Sequence, residues 1–165
     1  MFDDETRSLA ESVLTACRGR GLHVATAESL TGGLIAGALT EVPGSSDVVD
    51  RAFVTYSYEA KAQELGVPYD LVVACGAVSE AVARRMAEGA LARAHGRADL
   101  AVAVTGVAGP GPSGSNPAGR VHLAVARRGA ETTHAQRDFG DAGRSAVRRA
   151  TVRAALELLL SRVEG

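Results

Sequence analysis

Apolar residues recur at helical spacing near both ends of the chain, and in the middle they run together or alternate. Leu9, Val13 and Cys17 share one helical face, with Asp3 or Asp4 as a cap and Gly19 and Gly21 as a stop. His23 to Ala27 is short and β-leaning, and Gly32 to Thr40 is small, apolar and helical in tendency until EVPGSSD breaks it. Val49 to Tyr56 predicts a second strand, followed by a helix over Tyr58–Leu65 that Gly66 closes. Ser79 caps a predicted helix reaching His95, with Val82, Met86 and Ala90 four residues apart.

Leu100 to Val104 (LAVAV) is a continuous apolar run, the mark of a central strand covered on both faces. A long glycine- and proline-rich loop follows, TGVAGPGPSGSNPAG. Residues 121–126 alternate, 127–130 turn, and 131–139 return as an edge strand. Leu156, Leu159, Leu160 and Val163 mark a last helix over Arg144–Val163. Strands alternating with helices, then a terminal hairpin, predict a three-layer α/β/α sandwich. Its sheet is mixed and mostly parallel, ending in an antiparallel hairpin, and the whole of 1–165 forms one domain.

Composition narrows the function. A chain of 165 residues buries about two-thirds of its unfolded surface, enough for one core. Its formal charge of −1 and its lack of tryptophan argue against a nucleic-acid surface. The acidic start has no signal-peptide pattern, and no apolar stretch is long enough for a membrane span. Cys17 and Cys75 form no CxxC and read as reduced core thiols, so a cytoplasmic protein is expected.

Several motifs fail on their mechanics. GPGPSG (109–114) matches G-x-G-x-x-G, but two prolines interrupt it and a strand follows where a phosphate-binding helix is needed. His23, His95, His122 and His134 lack metal-ligand spacing, and no P-loop or HExxH is present.

Two stretches carry chemistry. ATAESLTGGLIAG (25–37) passes from strand to polar turn to glycine-led helix, placing Ser29 beside main-chain N–H groups. Amides near Thr31, Gly32 and Gly33 could bind phosphate or an oxyanion, but Ser29 or Thr31 could equally be a helix cap. TYSYEAKAQELG (55–66) holds Lys61, the single lysine beside 17 arginines. Lysine can act as a base when its pKa is depressed; arginine cannot. A solvated lysine left over from arginine bias is the competing account.

Together AESLTGGLIAGALTEVPGSS, FVTYSYEAKAQELGVP, GAVSEAVARRMAEGA and AVTGVAGPGP resemble the C-terminal domain of CinA, over about residues 5–163. That domain also occurs alone as the PncC-type nicotinamide mononucleotide deamidases. The resemblance implies an amidohydrolase that converts nicotinamide mononucleotide to nicotinic acid mononucleotide and ammonia. It implies Ser29 as nucleophile, Lys61 as base and Tyr56 as a proton relay or positioning group, with no metal or organic cofactor. Substrate contacts are expected from Glu28, Thr31, Gly32, Gly33, Thr105, Gly106 and Arg144. The oxyanion is expected on amides near Thr31–Gly33 or the Thr105–Gly106 turn. Arg144 and Arg148 share a helix face, which is either a phosphate contact or a solvated basic face.

The resemblance further implies a small-molecule nucleotide as partner, without nucleic acid or membrane, and a homo-oligomer, most simply a homodimer. Leu30 and Tyr58 depart from the family pattern, where cysteine and asparagine are usual. The bulkier Tyr58 leaves two alternatives: a nucleotide-binding module without turnover, or an amidase for another small amide. The N-terminal domain of larger family members is not in this sequence, so no pyrophosphatase activity is expected.

Overall fold

The computed structural model describes residues 1–165. It contains five strands, six α-helices and a short 3₁₀ turn. In chain order these are α1 (Asp4–Arg20), β1 (Val24–Glu28), α2 (Leu34–Thr40), β2 (Val49–Val54), α3 (Tyr58–Leu65), α4 (Tyr69–Cys75), α5 (Glu80–Arg93), β3 (Leu100–Gly106), β4 (Arg120–Arg127), β5 (Thr133–Asp138) and α6 (Arg144–Glu164). The sheet order is β2-β1-β3-β4-β5. β1 is parallel to β2 and β3, whereas β4 is antiparallel to both its neighbours. The expected mixed sheet with a terminal antiparallel hairpin is therefore present.

Alternation along the strands sorts the core into two layers. Leu100, Val102, Val104, Leu123 and Val125 face α1, α2 and α6. Ala25, Ala27, Ala101, Ala103, Ala124 and Ala126 face α5. One side of the sheet is thus branched and bulky, the other almost entirely alanine. A methyl floor lets α5 lie close against the strands, with Val82, Met86 and Ala90 filling the gap.

Caps set the helix limits as local chemistry requires. Asp3 accepts from Thr6 N, Ser57 from Ala60 N and Ser79 from Val82 N. Gly66 ends α3 in the left-handed region at φ 67°. Gly89 has a different reason to be glycine: a Cβ there would lie 1.9 Å from the Leu65 carbonyl oxygen. Its absence lets the end of α3 press against α5.

Three expectations shift. The second strand stops at Val54, so Thr55 and Tyr56 lie beyond the sheet. Helix α4 was not legible in its short apolar run. Cys75 is exposed, not a core thiol, whereas Cys17 is buried and burial raises its thiol to about 11. No helix is long and apolar enough to cross a membrane.

Candidate active site

The carboxyl ends of β2, β1 and β3 lie side by side, the usual place for a ligand site in such a sheet. Register continued one residue past Glu28 and Val104 brings Ser29 level with Thr105, and Thr105 pairs with His122. A transverse row of polar side chains therefore succeeds the alanine rows on the α5 side. Ser29 belongs to that row.

The serine is presented by the carboxylate beside it. Glu28 is fully buried on the opposite face, and its two oxygens accept from Thr26 Oγ1, Thr31 Oγ1 and the N–H groups of Gly33, Ile35 and Ala36. Those amides open α2, so Glu28 takes the role of helix cap from five to eight residues upstream. The N-cap residue itself, Gly33, has no side-chain cap. Neither Ser29 nor Thr31 caps the helix, and Ser29 is left free.

This arrangement corrects several expectations. Glu28 is not a substrate contact, because its oxygens are consumed by protein donors. Nor can Gly32 and Gly33 cradle an anion through their amides: Gly32 N donates to Ser29 O, and Gly33 N to Glu28. Thr31 has its hydroxyl on Glu28 and is itself buried. The N–H groups of Ser29, Leu30 and Thr31 have no acceptor within the protein, so the free donors lie at the serine itself.

Lys61 reaches the serine from α3. Its Nζ lies 3.1 Å from Ser29 Oγ and 2.6 Å from the Thr55 carbonyl oxygen. The side chain is 1% exposed, and burial lowers its pKa to about 8. No carboxylate pairs with it, so nothing offsets the cost of carrying charge there. In the neutral amine, one N–H suits the Thr55 carbonyl and the lone pair faces the serine hydroxyl. Thr55 Oγ1 beside it is buried and has no partner.

A cavity of about 150 Å³ opens over this pair, walled by Tyr56, Ala77, Val78, Thr105, Gly106 and Arg144 among others. An outer cavity of about 250 Å³ adjoins it, shares Tyr56 and Arg144, and is floored by the Val107–Ser113 loop. A larger hollow of about 640 Å³ beside α4 and α5 contains Asp70, Arg84, Arg85 and Glu88 but neither Ser29 nor Lys61. Chemistry selects the smaller cavity.

Tyr56 stands at the rim, 66% exposed, with its hydroxyl 2.9 Å from Arg144 and bonded to neither Ser29 nor Lys61. The expected relay or positioning role of Tyr56 therefore has no direct bond to the pair behind it, while the residue lines both cavities. Arg144 also donates to Gly109 O at 3.1 Å, which joins α6 to the glycine-proline loop. Thr105 lines the cavity and donates to Ala77 O at 2.7 Å. Gly106 contributes main chain to the wall, while its Cα faces β4 so closely that a Cβ would lie 2.7 Å from Val121. Tyr58 does not line either cavity and packs edge-on against Tyr69.

The role of Arg148 was not legible in the sequence. Arg148 donates from Nε to Leu30 O at 2.9 Å and from NH2 to Thr31 O at 3.2 Å, clamping the serine turn from behind. Its i, i+4 relation to Arg144 was the available signal. The two arginines do not share one role: Arg144 is exposed at the cavity rim and binds Gly109 O and Tyr56, whereas Arg148 binds the serine turn.

The family model of the CinA C-terminal domain matches residues 6–163. A protein of Escherichia coli K12 named nicotinamide-nucleotide amidohydrolase PncC is 47% identical over 161 residues, covering 96% of this chain and 95% of its own. A CinA-like protein of Anaeromyxobacter dehalogenans is 46% identical over 160 residues, covering 96% of this chain but 38% of its own. The chain thus spans between 30% and 38% of several longer relatives it matches. Among solved structures, competence/damage inducible protein CihA of Agrobacterium tumefaciens superposes with a TM-score of 0.95 at 50% identity, covering 100% of this chain and 99% of that one.

Proposed function

The chain belongs to the CinA C-terminal domain family, and on that premise we propose that it hydrolyses the carboxamide of nicotinamide mononucleotide to the carboxylate and ammonia. The observation that carries the reading is a buried, unpaired lysine amine 3.1 Å from a serine hydroxyl at the floor of a cavity. That pair is an activated nucleophile of the serine–lysine type.

Neutral Lys61 takes the proton from Ser29 Oγ as that oxygen bonds to the carboxamide carbon. The unpartnered N–H groups of Ser29 and Leu30, two residues that line the cavity, are the available donors for the resulting oxyanion. Lys61 then returns the proton to the departing nitrogen, the C–N bond breaks, and ammonia leaves an acyl-serine. Water adds to the acyl group with Lys61 again as base. The serine–carbonyl bond breaks and the proton returns to Ser29.

The inner cavity suits the flat pyridine ring, with Ala77, Val78 and Ala108 as apolar walls. The outer cavity leaves ribose and phosphate beside Tyr56, Arg144 and the glycine-proline loop. Tyr58 lines neither cavity, so the departure at that position supplies no reason for a module without turnover.

Ammonia release from nicotinamide mononucleotide by the wild type, Ser29→Ala and Lys61→Arg tests this directly. Turnover is expected from the wild type alone, with each variant reduced by about a thousandfold or more. An active Lys61→Arg would sink the mechanism, because a guanidinium supplies no neutral amine.

A further inference from the structure

Beyond the cavity, the polar row that contains Ser29 and Thr105 continues to His122. His122 Nδ1 lies 3.0 Å from Nε2 of His134 on the neighbouring strand, and the rings stack at 22° with centroids 5.2 Å apart. The other nitrogen of His134 is 3.5 Å from Glu80 Oε2. Glu80 is the first residue of α5, immediately after the Ala77–Ser79 turn. That turn supplies Ala77 and Val78 to the cavity wall.

The turn is held elsewhere by single bonds, one from β3 and one from the glycine-proline loop. Thr105 Oγ1 donates to Ala77 O, and Asn116 Nδ2 donates to Val78 O at 3.3 Å. Glu80, through His134 and His122, supplies a third tie from β4 and β5. With both imidazoles neutral, His122 Nδ1–H donates to His134 Nε2, which leaves the Nδ1–H of His134 facing Glu80 Oε2 at 3.5 Å.

We propose that His122 and His134, acting through Glu80, are positioning residues that hold the Ala77–Ser79 wall against the substrate cavity. This inference rests on the reading of that cavity as the substrate site. The contact needs a single proton between the facing nitrogens, which either ring can carry; protonating both rings sets two cations 3.0 Å apart and breaks it. The charged neighbours are Glu80 and Arg84 from α5, Arg120 from β4 and Asp138 from β5. Glu80 is shared with Arg84, which donates to Oε1 at 2.8 Å, and Asp138 is engaged by Arg120 at 2.8 Å, so the one carboxylate oxygen that faces the pair cannot offset two cations. Burial, and for His122 also its partner, lowers both histidines, so the neutral chain persists at neutral pH and fails in acid.

The test uses the whole chain from about pH 8 to about pH 5. Main-chain amide NMR signals of Ala77 and Val78 are followed together with the histidine ring signals. In parallel, KM and kcat for nicotinamide mononucleotide are measured for the wild type and His134→Gln, which keeps a hydrogen-bonding side chain without a titratable ring. The Ala77 and Val78 amides are expected to move with the ring titration. Wild-type KM rises about fivefold over that interval, the worth of about one net hydrogen bond, while KM of His134→Gln stays level. A purely structural histidine would change KM equally at every pH. Amides that stay fixed while the rings titrate overturn the proposal, as do KM profiles of the same shape in both proteins. Should His134→Gln not fold, Glu80→Gln takes its place with the same expectation. Should no ammonia appear at any pH, the amidohydrolase reading fails, and the amide titration alone decides the tie.

Discussion

Lys61 Nζ lies 3.1 Å from Ser29 Oγ, and the lysine has no acidic partner. Its remaining bond is to a main-chain carbonyl, which stabilises an amine without balancing a charge. A lysine in that setting is a base near neutral pH. That is a role arginine could not fill.

Its depressed pKa fixes the pH dependence of the rate. The neutral form is the active one, so kcat/KM rises with pH, reaches half its limit at about pH 8 and is level above. Well below that point it falls about tenfold per pH unit. A rate profile flat from pH 6 to 9 contradicts the assignment.

Stability carries the same signature. The folded-state pKa of about 8 lies below the ordinary lysine value of 10.5, so between these the unfolded chain binds the extra proton. Stability therefore rises across pH 8 to 10.5, by about 3 kcal/mol from this residue. Denaturant unfolding of the wild type against Lys61→Met isolates the effect: the gap between them narrows over that window and is constant below it.

Glu28 is a stability residue and not a substrate contact. Glu28→Gln replaces an acceptor with an amide that presents N–H to N–H, at a cost of about 3 kcal/mol or more. Urea unfolding measures it. Because Ser29 follows directly, activity falls too, but through kcat and without selective loss of phosphate-bearing substrates.

At the rim, Tyr56→Phe loses one bond to Arg144 and leaves the dyad intact. Its kcat stays within about threefold of wild type. Arg144→Ala raises KM for nicotinamide mononucleotide about tenfold or more, but hardly changes KM for the riboside, which has no phosphate. Steady-state kinetics with both substrates separates the two residues. A hundredfold fall in kcat for Tyr56→Phe supports the relay.

Thr55 contributes its carbonyl to Lys61, while its hydroxyl is buried without a partner. Thr55→Val removes that hydroxyl and keeps the carbonyl. Thermal unfolding is expected to show a gain of about 1 kcal/mol, with ammonia release unchanged.

The sequence made legible whatever depends on neighbours along the chain. The strand-turn-helix around Ser29, the caps Asp3 and Ser79, the apolar central strand and the unusual lysine all announce themselves locally. What stayed hidden depends on the other side of a turn or a sheet. Glu28 reads as a polar site residue because its donors, the amides of Gly33, Ile35 and Ala36, have no side-chain signature. Arg148 looks solvent-bound until α6 is laid behind the serine turn. His122 and His134 are unremarkable at a separation of twelve residues, and only the β4–β5 register makes them touch. Tyr69–Cys75 is short and apolar enough to suit strand or helix, and Pro68 before it settles the matter only once α4 is seen.

The alanine rows under α5 have a consequence for how such a protein can change. They act as a shim between a helix and the sheet that bears the nucleophile. Ala103 or Ala124, enlarged by one or two carbons, raises the start of α5 together with the wall that follows Gly76. A lineage could thereby widen its range of accepted amides from beneath, through residues that no substrate ever meets.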